Sequence, residues 1–191
     1  MGESGNGVYM LTKGRTTTIP YLEEIAAESN RPVVIAALFH SNTNPEAAFT
    51  TLDQVNEARA RGRELVAQTS CCPLSMDFTF HSPYLFESMQ AELRKIYRDP
   101  AWRASVREEL QAKRGRLLFN GEWEKLFVVE TAKDENRKME GATLAELARA
   151  AGKDPFDFIL DFALSEDLDT MFVAQLLHND DEQVGRILAD P

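Results

Sequence analysis

Three histidines and one pair of adjacent cysteines are the residues of this chain whose types and positions could do chemistry. His40 follows the apolar run Val33 to Phe39, and Cys71 and Cys72 follow the run Glu64 to Ser70. His81 lies in a polar stretch with Asp77 and Ser82, and His178 opens the sequence His-Asn-Asp-Asp. An imidazole at the end of a strand can hold a metal ion or move a proton, and a thiolate can attack a carbon or ligate a soft cation. Neighbouring cysteines rarely close a disulfide, because the sulfurs usually point apart. They read here as two free thiols, buried as free cysteines commonly are. A thiol nucleophile would need an imidazole beside it, and His81 is the nearest in sequence. His81, Ser82 and Pro83 otherwise read as a helix cap, and His178 as the entry to a helix whose acidic first turn suits the dipole. Zinc-finger spacing is absent, as are GxGxxG, GxxxxGK[ST] and GxSxG.

The elements that would carry these residues follow from periodicity. Gly7 to Thr12 is a short β-favouring run. Thr18 to Ser29 has apolar positions Ile19, Leu22, Ile25 and Ala26 at helical spacing, with Thr18 as N-cap and Pro20 in the first turn. Val33 to Phe39 is continuously apolar and β-branched, the signature of a strand buried on both faces of a parallel sheet. A helix over Glu46 to Arg61 and a strand over Glu64 to Ser70 complete a βαβαβ pattern with right-handed crossovers. Beyond it, helices are expected over Ser82 to Tyr97, Asp99 to Lys113, Gly141 to Ala151, Asp154 to Leu164 and Asp180 to Leu188. A strand centres on Leu126 to Val129, and the apolar segment Met171 to Leu177 has no assigned type. Trp102 and Trp123 read as core anchors. The expected organisation is therefore a βαβαβ part over 1–73, a helical insertion over 74–120, and a later strand with helices over 121–191, in a single structural unit.

Composition narrows the partners. The chain has 191 residues, enough for one ordinary domain, and 43% of them are hydrophobic against 27% charged, the mix of a chain that buries a core. Lys and Arg number 21 and Asp and Glu 31, for a formal net charge of −10. Nucleic-acid binding is disfavoured, because phosphate contacts rest on Lys and Arg. The longest apolar run, Val33 to Phe39, is far short of the roughly 20 residues that span a bilayer, and the first residues have neither a basic nor an apolar signal region. A cytoplasmic protein without membrane or nucleic-acid partners is the expectation.

Taken in order, five stretches resemble one family. They are GVYMLTKG (Gly7 to Gly14), YLEEIAAESNRPVVIAALFH (Tyr21 to His40), LDQVNEARARGRELVAQTSCCP (Leu52 to Pro73), the Asp99-Pro100 helix start, and EGATLAELARAAGKDPFDFILD (Glu140 to Asp161). Their order and spacing resemble the amidohydrolase superfamily, in the branch of D-aminoacylases and N-acyl-D-amino-acid deacylases. The resemblance implies an α/β fold, part of a (β/α)₈ TIM barrel with parallel strands, followed by a helix-rich insertion and C-terminal helices. It implies a zinc-dependent hydrolase in which metal-activated water attacks the amide of an N-acyl-D-amino acid. Such enzymes open the metal site with His-x-His and close it with a late Asp; there is no His-x-His here, and Ala37 stands where a ligand histidine would be expected. The chain thus reads as an internal fragment. Its candidate site residues are His40 for metal and Cys71 and His81 for substrate, with no catalytic residue assigned. Zinc is expected in the full-length enzyme and none in the isolated chain. A small-molecule amide is the expected partner, and self-association is expected because a partial barrel leaves an open strand edge. The alternative is a non-catalytic, amidohydrolase-like interaction module.

Overall fold

The structure is a computed structural model that describes residues 2–3, 5–82, 93–111, 119 and 121–190. The chain divides into two compact units, one formed by 1–73 with 177–191 and the other by 74–176.

In the first unit, β1 (Tyr9–Leu11), α1 (Ile19–Ser29), β2 (Val33–Ile35), α2 (Glu46–Ala60) and β3 (Leu65–Ala67) alternate as their periodicity dictates. The three strands form a parallel sheet in the order β1-β2-β3, with Tyr9 opposite Val33 and Val33 opposite Leu65. Pairing continues past the short strands, because Leu38 N donates to Gln68 O and Gln68 N donates to Ile35 O. The expected spans of 7–12, 33–39 and 64–70 are therefore extended backbone with a shorter regular centre. Helix α1 starts where Thr18 Oγ1 accepts the Tyr21 N–H and stops at Asn30, which adopts the left-handed conformation that Asn tolerates (φ 49°). Ile19, Leu22 and Ala26 of α1 and Val55 and Ala58 of α2 pack with Val33, Ile35 and Leu65 into one core.

That core covers only one face of the sheet. On the other, Met10, Val34 and Val66 stand opposite one another in register, and Met10 and Val66 are 61% and 48% exposed. Burial on both faces, expected of the run Val33 to Phe39, holds in part for β2, where Val33 and Ile35 are buried and Val34 on the other face is half-buried. An unbroken run reports that both faces are apolar, not that both are covered.

The second unit holds a sheet in the order β4-β6-β5, built from β4 (Leu74–Phe78), β5 (Leu126–Glu130) and β6 (Met171–Leu177). β5 and β6 are antiparallel, Leu126 opposite Ala174, with a register shift between Val128 and Glu130. This is a departure from the parallel arrangement expected for the later strand. Strand β4 is a second departure, since 74–120 was expected to be helical; Leu74, Met76 and Phe78 alternate with Ser75 and Asp77, a short strand pattern inside a stretch otherwise helical in character. Of the helix expected over Ser82 to Tyr97, residues 83–92 lie outside the described residues, and α3 (Leu93–Ile96) is its helical end. Helix α4 (Pro100–Gln111) follows, and 112–118 are again outside the described residues.

Helices α5 (Leu144–Ala151) and α6 (Pro155–Ser165) form at their sequence signals. Thr143 and Glu146 make a reciprocal capping box, Gly152 ends α5 at φ 65°, and Asp154 caps α6. The core is aromatic: Phe80 meets Tyr97 edge-on at 5.4 Å between centroids, and Phe78 stacks on Phe172 at 5.6 Å. Trp102 and Trp123 lie against Phe156 as half-buried anchors rather than fully buried ones. Helix α7 (Asp181–Leu188) belongs to the first unit. No helix among the described residues is long and apolar enough to cross a membrane.

Candidate functional site

His40 and the Thr69 to Cys72 segment follow β2 and β3 at the carboxyl ends of the parallel strands, where open α/β sheets collect their functional loops. His178 and Asn179 join them in the same unit. His40 N donates to His178 Nδ1 at 3.1 Å, and His178 N returns a bond to His40 O at 2.9 Å. His178 Nε2 lies 2.7 Å from Ser70 O and 3.3 Å from Thr69 Oγ1. The Thr69 hydroxyl proton is spent on Leu38 O, at 2.7 Å.

These bonds fix the tautomer of His178. Nδ1 faces a backbone N–H and must accept, whereas Nε2 faces a carbonyl and must carry the proton. The ring is thus a neutral brace joining the ends of β2 and β3. His178 itself is left-handed, with φ 60°, a conformation that costs a non-glycine residue on the order of 1 kcal/mol. Its buried ring, bonded at both nitrogens, holds it there.

His40 is different. It is 2% exposed, and neither ring nitrogen has a hydrogen-bond partner among the described residues. Phe49 packs against it at 6.4 Å between centroids, and the Arg186 guanidinium lies 4.1 Å over the Phe49 ring. A buried polar group without a partner is uncommon, and His40 is the ring of this cluster with nitrogens still uncommitted.

Cys71 and Cys72 are free and exposed, not buried as expected, with their sulfurs 3.8 Å apart. They sit on the outside of the turn that follows β3, where Ser70 Oγ accepts the Cys72 N–H at 3.0 Å. The hydrogen bond and charge of Cys71 push the Cys72 thiol above its ordinary value.

His81 falls in the other unit. Its Nε2 is 2.8 Å from Asp169 Oδ1, and both side chains are more than half exposed. Asp167, left-handed at φ 58°, receives Arg94 through both its carboxylate and its carbonyl, at 3.1 and 3.0 Å. A cavity of about 410 Å³ opens between His81, Leu93, Arg94, Lys95 and Leu168. His81 thus pairs with an aspartate 88 residues on, while the helix start that His81, Ser82 and Pro83 were expected to cap lies outside the described residues.

The structure joins His40 to the segment bearing Cys71 through His178. His178 is the functional candidate that sequence reasoning assigned to a helix entry alone. A signal was present: His178 ends the apolar run Met171 to Leu177 as His40 ends Val33 to Phe39. A catalytic zinc takes three protein ligands and keeps one position open. Among the described residues no group of three His, Cys, Asp or Glu side chains is placed to hold a metal ion. Both nitrogens of His178 are committed, and the cysteines face each other. The described residues do not fit a zinc site.

No protein-family model matches the sequence, and no curated protein matches it. Solved structures do resemble it. They are amidohydrolases. D-aminoacylase is similar at 16% identity, over 98% of this chain and 31% of that chain, with a TM-score of 0.43. N-acyl-D-glutamate deacylase from Bordetella bronchiseptica, complexed with zinc and a phosphonate inhibitor, is similar at 12% identity over the same shares, with a TM-score of 0.42. The chain spans about a third of the length of these enzymes.

Proposed function

We propose that the chain is a portion of an amidohydrolase whose full-length form hydrolyses the amide of N-acyl-D-amino acids. The observation that supports this reading most is the ordered set of sequence stretches from Gly7 to Asp161, the first three of which lie on a parallel βαβαβ unit that carries His40 and Cys71 past its strand ends. In this reading His40 faces the reacting centre of the complete enzyme, and His178 is a positioning residue that holds the His40 backbone. Cys71 shapes the wall of the substrate site, while His81, in the other unit beside Arg94 and Lys95, belongs to a basic edge suited to a carboxylate. The zinc chemistry of the resemblance would need ligands outside the described residues, so no step through a metal is assigned to this chain. A cytoplasmic setting agrees with two exposed thiols that remain free.

A second reading, a non-catalytic relative that serves as an interaction module, is favoured by Ala37 at the position of an expected ligand histidine. One experiment separates the two. The coding sequence on either side is read, and the resulting full polypeptide is assayed with N-acetyl-D-amino acids in added zinc. Turnover, with an upstream His-x-His and a downstream Asp, supports the enzyme. Their absence, with no turnover, supports the module.

A further inference from the structure

The two cysteines are unusual in three respects that bear on each other. They are adjacent, they are both exposed although free thiols are generally among the most buried side chains, and their sulfurs stand 3.8 Å apart. A disulfide would require an S–S distance of about 2.05 Å, so the sulfurs would have to close by nearly 2 Å within a strained ring. A single atom bonded to both sulfurs makes no such demand. With bonds of about 2.3 Å, the length of a zinc–thiolate bond, the sulfurs stand roughly 3.8 Å apart on a tetrahedral bridging atom and about 3.4 Å apart on a pyramidal one such as trivalent arsenic. The observed 3.8 Å therefore needs only a few tenths of an ångström of closure for a pyramidal bridge, against nearly 2 Å for a disulfide.

The pair is also held from behind. Ser70 Oγ accepts the Cys72 N–H, Ser70 O accepts the His178 ring N–H, and Thr69 Oγ1 donates to Leu38 O. The backbone before the thiols is thus tied to β2 and to His178, which lowers the conformational cost of presenting two sulfurs together. Nothing among the described residues supplies a third ligating side chain, so the occupant must satisfy its remaining valence itself. A trivalent arsenical with one organic substituent does so.

We infer that Cys71 and Cys72 form a vicinal-dithiol site that captures trivalent arsenicals of the arsenoso class by bonding the arsenic through both sulfurs. The balance is simple: two As–S bonds form, the As=O bond is lost, and the oxygen leaves as water with the two thiol protons. Arsenic stays trivalent and no oxidant is needed. The site stands independently of the hydrolase reading.

Phenylarsine oxide is the probe, added to the reduced full chain and followed by intact mass and by titration of remaining thiols. The expected result is one adduct per chain with loss of one water, disappearance of both free thiols, survival in excess monothiol, and release by a dithiol. C71S and C72S, both at exposed positions, are each expected to fold and to lose the monothiol-resistant adduct at least tenfold in half-life. Two arsenicals per chain, or an adduct in either single variant that resists monothiol as the parent does, would overturn the inference.

Discussion

His40 and His178, 138 residues apart in sequence, are joined by a reciprocal pair of bonds in which each residue donates its backbone N–H to the other. One acceptor is a carbonyl and the other a ring nitrogen, so the pair resembles a rung of sheet with an imidazole replacing a peptide. This rung sets where the unpartnered His40 ring is carried.

H178A removes the acceptor for the buried His40 N–H and the donor to Ser70 O. Leaving two such groups without partners costs about 2 kcal/mol or more. A lower urea midpoint is expected, together with lost hydrogen-exchange protection at the His40 amide. An amide that exchanges as slowly in the variant would show that the ring does not hold it.

Glu166 is fully buried at the end of α6, where its carboxylate gathers the Ala132 and Lys133 N–H groups, the Asn136 amide and the Thr170 hydroxyl. Glu166→Ala strands several donors and should cost roughly 3 kcal/mol or more. Glu166→Gln, which keeps one acceptor oxygen, should lose distinctly less. Tryptophan fluorescence during denaturation reads this unit directly, since Trp102 and Trp123 both belong to it.

Tyr97 is 1% exposed and donates its hydroxyl to Phe80 O at 3.2 Å. Burial pushes its phenol well above the usual value. Because the folded-state value is raised, the neutral ring's contribution is fully present below the unfolded value of about 10 and is lost as pH rises beyond it. Stability of the second unit should therefore fall above about pH 10. Y97F, which cannot ionise, should flatten that limb of the pH profile while starting lower by about 1 kcal/mol for the lost hydrogen bond.

The row of Met10, Val34 and Val66 lies on a sheet whose outer strand β3 has an open edge. Open edges and bare apolar faces promote pairing between chains. Concentration-dependent self-association is expected in light scattering, and V66E, which sets a charge in the row at an exposed position, should reduce it. A monodisperse parent over the whole concentration range would count against this.

The parallel part of the fold was legible because local signals coincide there: Thr18, Pro20 and Asn30 delimit α1, and apolar runs lie on either side. The same holds for Thr143, Glu146 and Gly152 around α5. Strand β4 carries a legible signal, Leu74, Met76 and Phe78 alternating with Ser75 and Asp77, but over only five residues between helical patterns, where it is easily passed over. Strand β6 is buried at every second residue, yet its sequence is apolar almost throughout, which hides the alternation. Of the site, His40 was visible from its place after a strand. The role of His178 was not, because both partners of its ring lie more than 100 residues away.

The first unit is assembled from two separated pieces of chain, 1–73 and 177–191. On a ribosome the early piece emerges with Leu38, Leu52 and Ala48 still lacking Ile187, which completes their cluster. At about 5–20 residues per second, the 138 residues from His40 to His178 take roughly 7–28 s to synthesise. For that interval the nascent βαβαβ segment waits with its strand ends unbraced, while the intervening 74–176 unit has time to fold first. The order of maturation in the cell would then be the reverse of the order of translation.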